Sequence, residues 1–335
     1  MSFIELELIE ELFIPAEKQE IIAQLKGGMA GLRDERLHRS GEQTNDWLKR
    51  KRNSDHDCAG TIQPFDPNNQ FLEDVVKRVL ALIYGVAAYV FFLGTLAYAV
   101  GFVGNIGVPK SIDSATISSL GVAIAINALL LAGFAIQHSV MARQGFKRMW
   151  TRIVPKCVER STYVFAASLT LAQLFWQWRP ITDTAWDLRG SVAGTILTIS
   201  FWMGWAVLLV STYLVNHFEL FGLEQVWTYF RGREPQPASF RTPGFYRVVR
   251  YPIYAGFVIA FWSAPVMTVG HLIFSIATTG YILVGIAFEE RDLITFYGQT
   301  YREYRQHVPM LVPFLKRGKA SAELEVAEVR EETAS

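Results

Sequence analysis

Six apolar blocks dominate the chain, at roughly residues 79–102, 119–137, 161–178, 192–215, 252–268 and 271–288. Most reach the length of about 20 residues that a helix needs to cross the hydrocarbon core of a bilayer. They predict an all-α integral membrane protein with about six transmembrane helices. The fifth block is short, and only Thr268, Val269 and Gly270 separate it from the sixth. These two form a tight C-terminal helical hairpin, and the count drops to five crossings if that hairpin does not fully span.

Composition agrees: 51% of the residues are hydrophobic and 19% charged, too apolar for an ordinary soluble domain of 335 residues. A formal net charge of +1 says nothing about nucleic acid, and no nucleic-acid partner is expected. Cys58 and Cys157 lie in different polar segments and build neither a disulfide framework nor a zinc cluster. Residues 1–74 stand apart as a polar extension with short helices, expected to be cytoplasmic and partly disordered. Its start, "MSFIELELIEELFIP", is acidic where a signal peptide would be basic. The membrane domain is expected over 75–315, and a charged, disordered tail over 316–335.

Basic residues set the expected orientation. Arg143, Lys147, Arg148, Arg152, Lys156 and Arg160 crowd the loop at 138–160, and Arg231, Arg233, Arg241, Arg247 and Arg250 that at 216–251. The loops at 103–118 and 179–191 hold few. Cytoplasmic loops collect Lys and Arg, so both termini and both basic loops are expected inside. Three polar stretches then converge on one membrane face: "NHFELFGLEQVW" at 216–227, "RVVRYPIYAGFVIAFW" at 247–262, and Glu289–Glu290.

Each stretch has its own chemistry. Pro252 suits the first turn of a helix. The free N–H groups around that start, with Arg250 and Tyr251 just before it, suit a carboxylate or phosphate. Gly256, one turn in, lets another helix or a ligand approach. Glu289 and Glu290 close an apolar run at what reads as a helix C-terminus, where the dipole disfavours negative charge. Arginines must compensate there, or a ligand bearing an amino group, ribose hydroxyls or an onium centre. His217 can exchange a proton near neutral pH, with the carboxylate of Glu219 two residues on. Phe218, Phe221 and Trp262 are candidate walls of an apolar pocket. His138 reads as a helix-end residue, and His271 falls on the opposite side. No metal-ligand spacing is present, and no Walker loop, G-x-G-x-x-G or G-x-S-x-G occurs.

Arg250, Pro252, Tyr254 and Gly256, followed by a helical hairpin and Glu289–Glu290, resemble the R-H-P-x-Y-x-G … E-E signature of membrane methyltransferases. Those include isoprenylcysteine carboxyl methyltransferase and phospholipid N-methyltransferases. Over about residues 75–315 the closer resemblance is to the bacterial methanethiol S-methyltransferase family, relatives of NnrU-type membrane proteins. It rests on "QHSVMAR" (137–143), "ERSTYV" (159–164), "FWQWRP" (175–180), "NHFELFGLEQVW" and "GHLIFSIATTGYILVGIAFEERDL" (270–293). Tyr251 departs from the signature, which has His there.

The resemblance implies S-adenosylmethionine (SAM) as cofactor, held at the cytoplasmic face by Arg250, Tyr251, Pro252, Tyr254, Gly256, Glu289 and Glu290. It implies methyl transfer to the sulfur of a small volatile thiol, most simply methanethiol to dimethyl sulfide. His217 and Glu219 are then the candidates for proton handling, and Phe218, Phe221 and Trp262 for the acceptor pocket. A prenylcysteine or phospholipid acceptor, a non-catalytic NnrU-like role and an NADPH-dependent membrane reductase are the alternatives.

Overall fold

In a computed structural model of the chain, the described residues are 67–114, 118–233 and 242–313. Most of the N-terminal extension and all of the C-terminal tail expected from the sequence lie outside them. Residues 77–313 cluster in one compact unit, while 67–76 belong to another.

The described chain runs α1 (Pro67–Gly104), α2 (Leu120–Met141), α3 (Gln144–Trp150), α4 (Lys156–Gln177), β1 (Thr184–Asp187), α5 (Val192–Val215), α6 (His217–Leu220) and α7 (Leu223–Phe230). A 3₁₀ turn at Gly244–Arg247 then leads to α8 (Pro252–Trp262), β2 (Val266–Thr268), α9 (Val269–Tyr297) and α10 (Gln299–His307). The protein is a helical membrane protein. Among the described residues, four helices are long and apolar enough to cross a bilayer, spanning Leu72–Gly104, Leu120–Met141, Val192–Val215 and Val269–Tyr297.

The other two blocks differ for physical reasons. Helix α4 has 22 residues, about 33 Å, but carries Lys156, Glu159, Arg160, Gln173 and Gln177. Of these, Arg160 is buried inside the protein, with Ser161 buried beside it. Helix α8 has only 11 residues, about 16 Å, roughly half a hydrocarbon core. Pro265 explains the stop, because it cannot continue a helix and pushes Ala264 toward extended geometry. The chain proceeds instead as β2, which pairs antiparallel with β1 in the register Trp186↔Met267 and Asp187↔Val266. An all-helical hairpin was expected at this point, and the structure has helix, short strand, helix.

The end of α8 leaves orphan carbonyls inside an apolar region, where each needs a donor. His271 Nε2 (3.0 Å) and Ser275 Oγ (2.7 Å) of α9 both donate to the carbonyl of Phe261. The histidine that sequence reasoning left out of the site thus closes a helix end.

Helix α8 lies against α5 with the two backbones touching. A Cβ on Gly256 would sit 2.7 Å from the carbonyl oxygen of Gly204 and 2.8 Å from the nitrogen of Leu208. The core around this seam contains Phe201, Trp205, Leu208, Ile253, Ala260, Phe261, Phe102, Trp178 and Phe274. Trp178 and Phe274 meet edge to face at 5.7 Å, an arrangement favoured by the ring quadrupoles.

Candidate active site

Helix α9 corrects one expectation directly. It does not end at the paired carboxylates but runs on to Tyr297, where Gly298 takes a positive φ of 54° and caps it. Glu289 and Glu290 therefore sit about two turns inside the helix, beyond the last-turn reach of the dipole.

The two carboxylates have different surroundings. Glu290 Oε1 accepts from Arg250 Nη2 at 2.6 Å, and Glu290 Oε2 lies 3.5 Å from Arg305 Nη1. Arg250 is 5% exposed and spends its other terminal nitrogen on the carbonyls of Arg305 (2.8 Å) and Val308 (2.7 Å). Glu290 is thus the counter-ion of a buried arginine that ties α8, α9 and α10 together. Glu289 is 1% exposed, and its Oε2 receives only a long hydrogen bond of 3.4 Å from Tyr254. Its Oε1 is buried with no hydrogen-bond partner among the described residues. Unpaired buried carboxylate oxygen is costly, so this atom is the acceptor in the site that asks for a ligand.

The helix start at Pro252 is also partly used. The N–H groups of Arg250 and Tyr251, just before the first turn, donate to the carbonyls of Pro309 (2.9 Å) and Met310 (3.2 Å). The segment after α10 folds back and satisfies them, a long-range pairing without a local sequence signal. Tyr251, which stands where the membrane-methyltransferase signature has His, is buried with its hydroxyl 3.0 Å from that of Tyr301. Together with Thr242, Tyr246, Arg250, Leu293 and Tyr304 these side chains line a recess scarcely larger than one water molecule. Burial pushes the phenols of Tyr246, Tyr251, Tyr301 and Tyr304 above the ordinary tyrosine value, so they remain hydrogen-bond donors. Gly256, placed in the cofactor set from the sequence, faces the backbone of α5.

His217 heads a second cluster. It is 3% exposed, with Nδ1 2.8 Å from Thr212 Oγ1 and Nε2 2.8 Å from Tyr89 Oη. The Tyr213 ring stacks on it at 4.3 Å, and Phe221 meets it edge-on at 4.9 Å. Phe218 approaches at 5.6 Å but is half exposed, and Phe221 stacks on Phe92 of α1 at 4.0 Å. Burial lowers the His217 pKa below the ordinary 6.5, so the ring is neutral at physiological pH. The segment is held in place by α4, whose Arg160 Nε and Ser161 Oγ donate to the carbonyls of Leu220 and Gly222.

Glu219 does not join His217. Its carboxylate accepts from the Asn216 side-chain amide at 2.8 Å, and the Asn216 side-chain oxygen Oδ1 accepts from the Glu219 N–H, a reciprocal cap on α6. The same amide reaches Glu224 at 2.6 Å. Burial, helped by Glu224, raises the Glu219 pKa. Trp262 is also elsewhere: ten residues along α8 from Pro252, about 15 Å away, it donates through Nε1 to Thr279 at 2.9 Å. Apolar residues of one core, including Ile253, Leu208 and Phe221, connect the His217 cluster to the start of α8. Sequence reasoning missed Tyr89, Thr212 and Tyr213 beside His217, and Tyr301, Tyr304 and Arg305 beside Arg250. Only the polar run "YREYRQH" (301–307) offered a signal, as a second charged stretch on the same face.

No family model and no solved structure matches the chain. Curated proteins do. Methanethiol S-methyltransferase of Mycobacterium tuberculosis is 52% identical over 242 residues, covering 72% of this chain and 99% of the relative. Methanethiol S-methyltransferase 1 of Bradyrhizobium diazoefficiens is 54% identical over 240 residues, 71% of this chain and 84% of the relative. A Nurim homolog of Drosophila pseudoobscura pseudoobscura is 24% identical over 177 residues, 51% of this chain and 70% of that protein. With half the residues identical across almost the whole of the mycobacterial relative, the chain belongs to the methanethiol S-methyltransferase family.

Proposed function

We propose that this protein transfers a methyl group from SAM to the sulfur of methanethiol, releasing dimethyl sulfide, at the cytoplasmic face of a bacterial inner membrane with both termini inside. The observation that carries the reading is 52% identity over 99% of a relative named methanethiol S-methyltransferase. The site residues fit it. A sulfonium donor with an amino group and ribose hydroxyls offers hydrogen-bond donors to Glu289 Oε1, which has no partner among the described residues. When bound, the donor supplies an electrophilic methyl carbon on a positively charged sulfur.

The chain's own groups do the rest. Glu289 and Tyr254 hold the donor's polar end, and the first turn of α8, whose early N–H groups lack intrahelical partners, suits its carboxylate. Arg250 and Glu290 fix α10 and the segment after it beside that position. Phe92, Phe218 and Phe221 form an apolar surface near His217 for a small thiol. Holding sulfur and methyl carbon in line, away from water, accounts for much of the barrier lowering in such displacements. Residues 1–74 and 316–335 lie outside this machinery as a polar cytoplasmic extension and a charged tail.

The test uses detergent-solubilised protein with SAM and separate acceptors: methanethiol, a prenylcysteine and a phospholipid. Dimethyl sulfide in the headspace with methanethiol alone is expected. Methylation of a lipid acceptor in its place, or binding of NADPH and not SAM, would overturn the reading.

A further inference from the structure

The hydrogen bonds around His217 assign its tautomer. Thr212 Oγ1 donates its only hydrogen to the carbonyl of Leu209 at 2.7 Å. At its 2.8 Å contact with His217 the hydroxyl oxygen must therefore accept, which puts the imidazole hydrogen on Nδ1. Nε2 then carries the lone pair, and the hydrogen in its 2.8 Å contact with Tyr89 belongs to the phenol. The basic nitrogen of His217 is already covered by a tyrosine hydroxyl. It is enclosed further by Tyr213 on one ring face and by the edge contacts of Phe218 and Phe221. A thiol cannot reach Nε2 without displacing Tyr89, whereas the Tyr89 ring is half-buried and lies 6.3 Å from Phe92 and 6.2 Å from Phe218, centre to centre.

We propose that Tyr89 is the catalytic residue that takes the thiol proton, relaying its own proton to Nε2 of His217. This rests on the methyl-transfer reading above. In the step a bond forms between the thiol sulfur and the donor methyl carbon, and the carbon–sulfonium bond breaks with its electrons going to the donor sulfur. The thiol proton moves to Tyr89 Oη while the phenol proton moves to His217 Nε2. Positive charge passes from the sulfonium to an imidazolium, which donates to Thr212 and Tyr89. No free phenolate is formed, and the imidazolium later releases its proton to water. A base reached through one intervening hydroxyl is within the usual span of proton transfer. The titratable group facing the pair is Tyr213 on α5, while Glu219 and Glu224 are bonded to Asn216 and Arg160 to Leu220.

The experiment compares wild type with Tyr89→Phe across thiols of increasing acidity at pH 7, with SAM affinity and melting temperature measured in parallel. With methanethiol, which is mostly protonated at that pH, kcat of Y89F should fall about a hundredfold or more. With an aromatic thiol already ionised at pH 7 the loss should shrink to less than about threefold, because no proton needs removing. SAM affinity and melting temperature should be unchanged. Nitrogen-15 spectra of histidine-labelled protein should show the Nδ1–H tautomer for His217. Wild-type kcat of Y89F with methanethiol would overturn the relay, as would an equal loss with every thiol, which is what a packing role produces, or an Nε2–H tautomer. A wild-type protein that methylates no thiol overturns the reaction assignment, and the relay falls with it.

Discussion

Replacing Glu289 and Glu290 separately by glutamine should give opposite phenotypes, although the residues are adjacent. Glu290 neutralises Arg250, which is 5% exposed and cannot regain water. Breaking a buried pair from one side costs roughly 3–5 kcal/mol. Glutamine keeps one acceptor oxygen, and the carbonyls of Arg305 and Val308 stay in place, so about 2–4 kcal/mol is the expected loss for Glu290→Gln. At roughly 2–4 °C per kcal/mol for a chain of a few hundred residues, melting should drop by roughly 4–16 °C. Among the described residues Glu289 makes one long bond and leaves one oxygen without a partner, so Glu289→Gln removes a weakly compensated buried acid and should leave melting unchanged or slightly higher. What it removes is the charge-assisted bond to the donor. Such bonds are worth about 1.5–3 kcal/mol, a ten- to hundred-fold weakening of SAM binding. Thermal unfolding in detergent and calorimetric SAM titration separate the two effects. Wild-type melting in Glu290→Gln would refute the counter-ion role, and wild-type SAM affinity in Glu289→Gln would refute the ligand role.

Other consequences are as direct. A cysteine at exposed Arg189 should label from outside the membrane and one at exposed Arg148 only from inside; the reverse would separate the site from the cytoplasm. Gly256→Leu should prevent stable folding or cost several kcal/mol, since its side chain would drive into the α5 backbone, and a normal melting curve would show that α5 and α8 do not touch as described. Deleting residues 1–70 should leave activity intact in protein that still inserts, because the site lies wholly beyond them; an inserted but inactive truncation contradicts this. Because burial lowers the His217 pKa, the ring stays neutral until the solution is more acidic than its ordinary 6.5, so kcat/KM for methanethiol should fall on an acid limb centred below that value. A limb centred above 6.5 would indicate a different base.

Much of the fold was legible because bilayer crossing imposes a length and an apolarity that a sequence displays openly. Pro265 ends the helix of the fifth block, a signal that reading 252–268 as one helical run passes over, and the pairing of β2 with Thr184–Asp187 depends on a partner some eighty residues away. The carboxylates looked like a helix end because hydropathy falls there, yet a helix is ended by its cap, and the cap is Gly298. At the site, Arg250, Tyr254, Glu289 and Glu290 were found by asking which polar stretches share a membrane face, and the structure does bring them together. Which carboxylate is paired was not legible, because the answer lies in backbone carbonyls after α10 and in the reach of Arg250. Tyr89 gave no local signal at all: it is one aromatic in an apolar helix, 128 residues from the histidine it touches.

The central claim is that methyl carbon passes from SAM to the sulfur of methanethiol on this chain. Purified protein should be incubated with SAM carrying a deuterated methyl group and with unlabelled methanethiol, and the headspace analysed by mass. Dimethyl sulfide carrying three deuterons is predicted for wild type, with the signal greatly reduced in Glu289→Gln at SAM concentrations that saturate wild type. Unlabelled dimethyl sulfide, or none at all from well-folded protein, would contradict it.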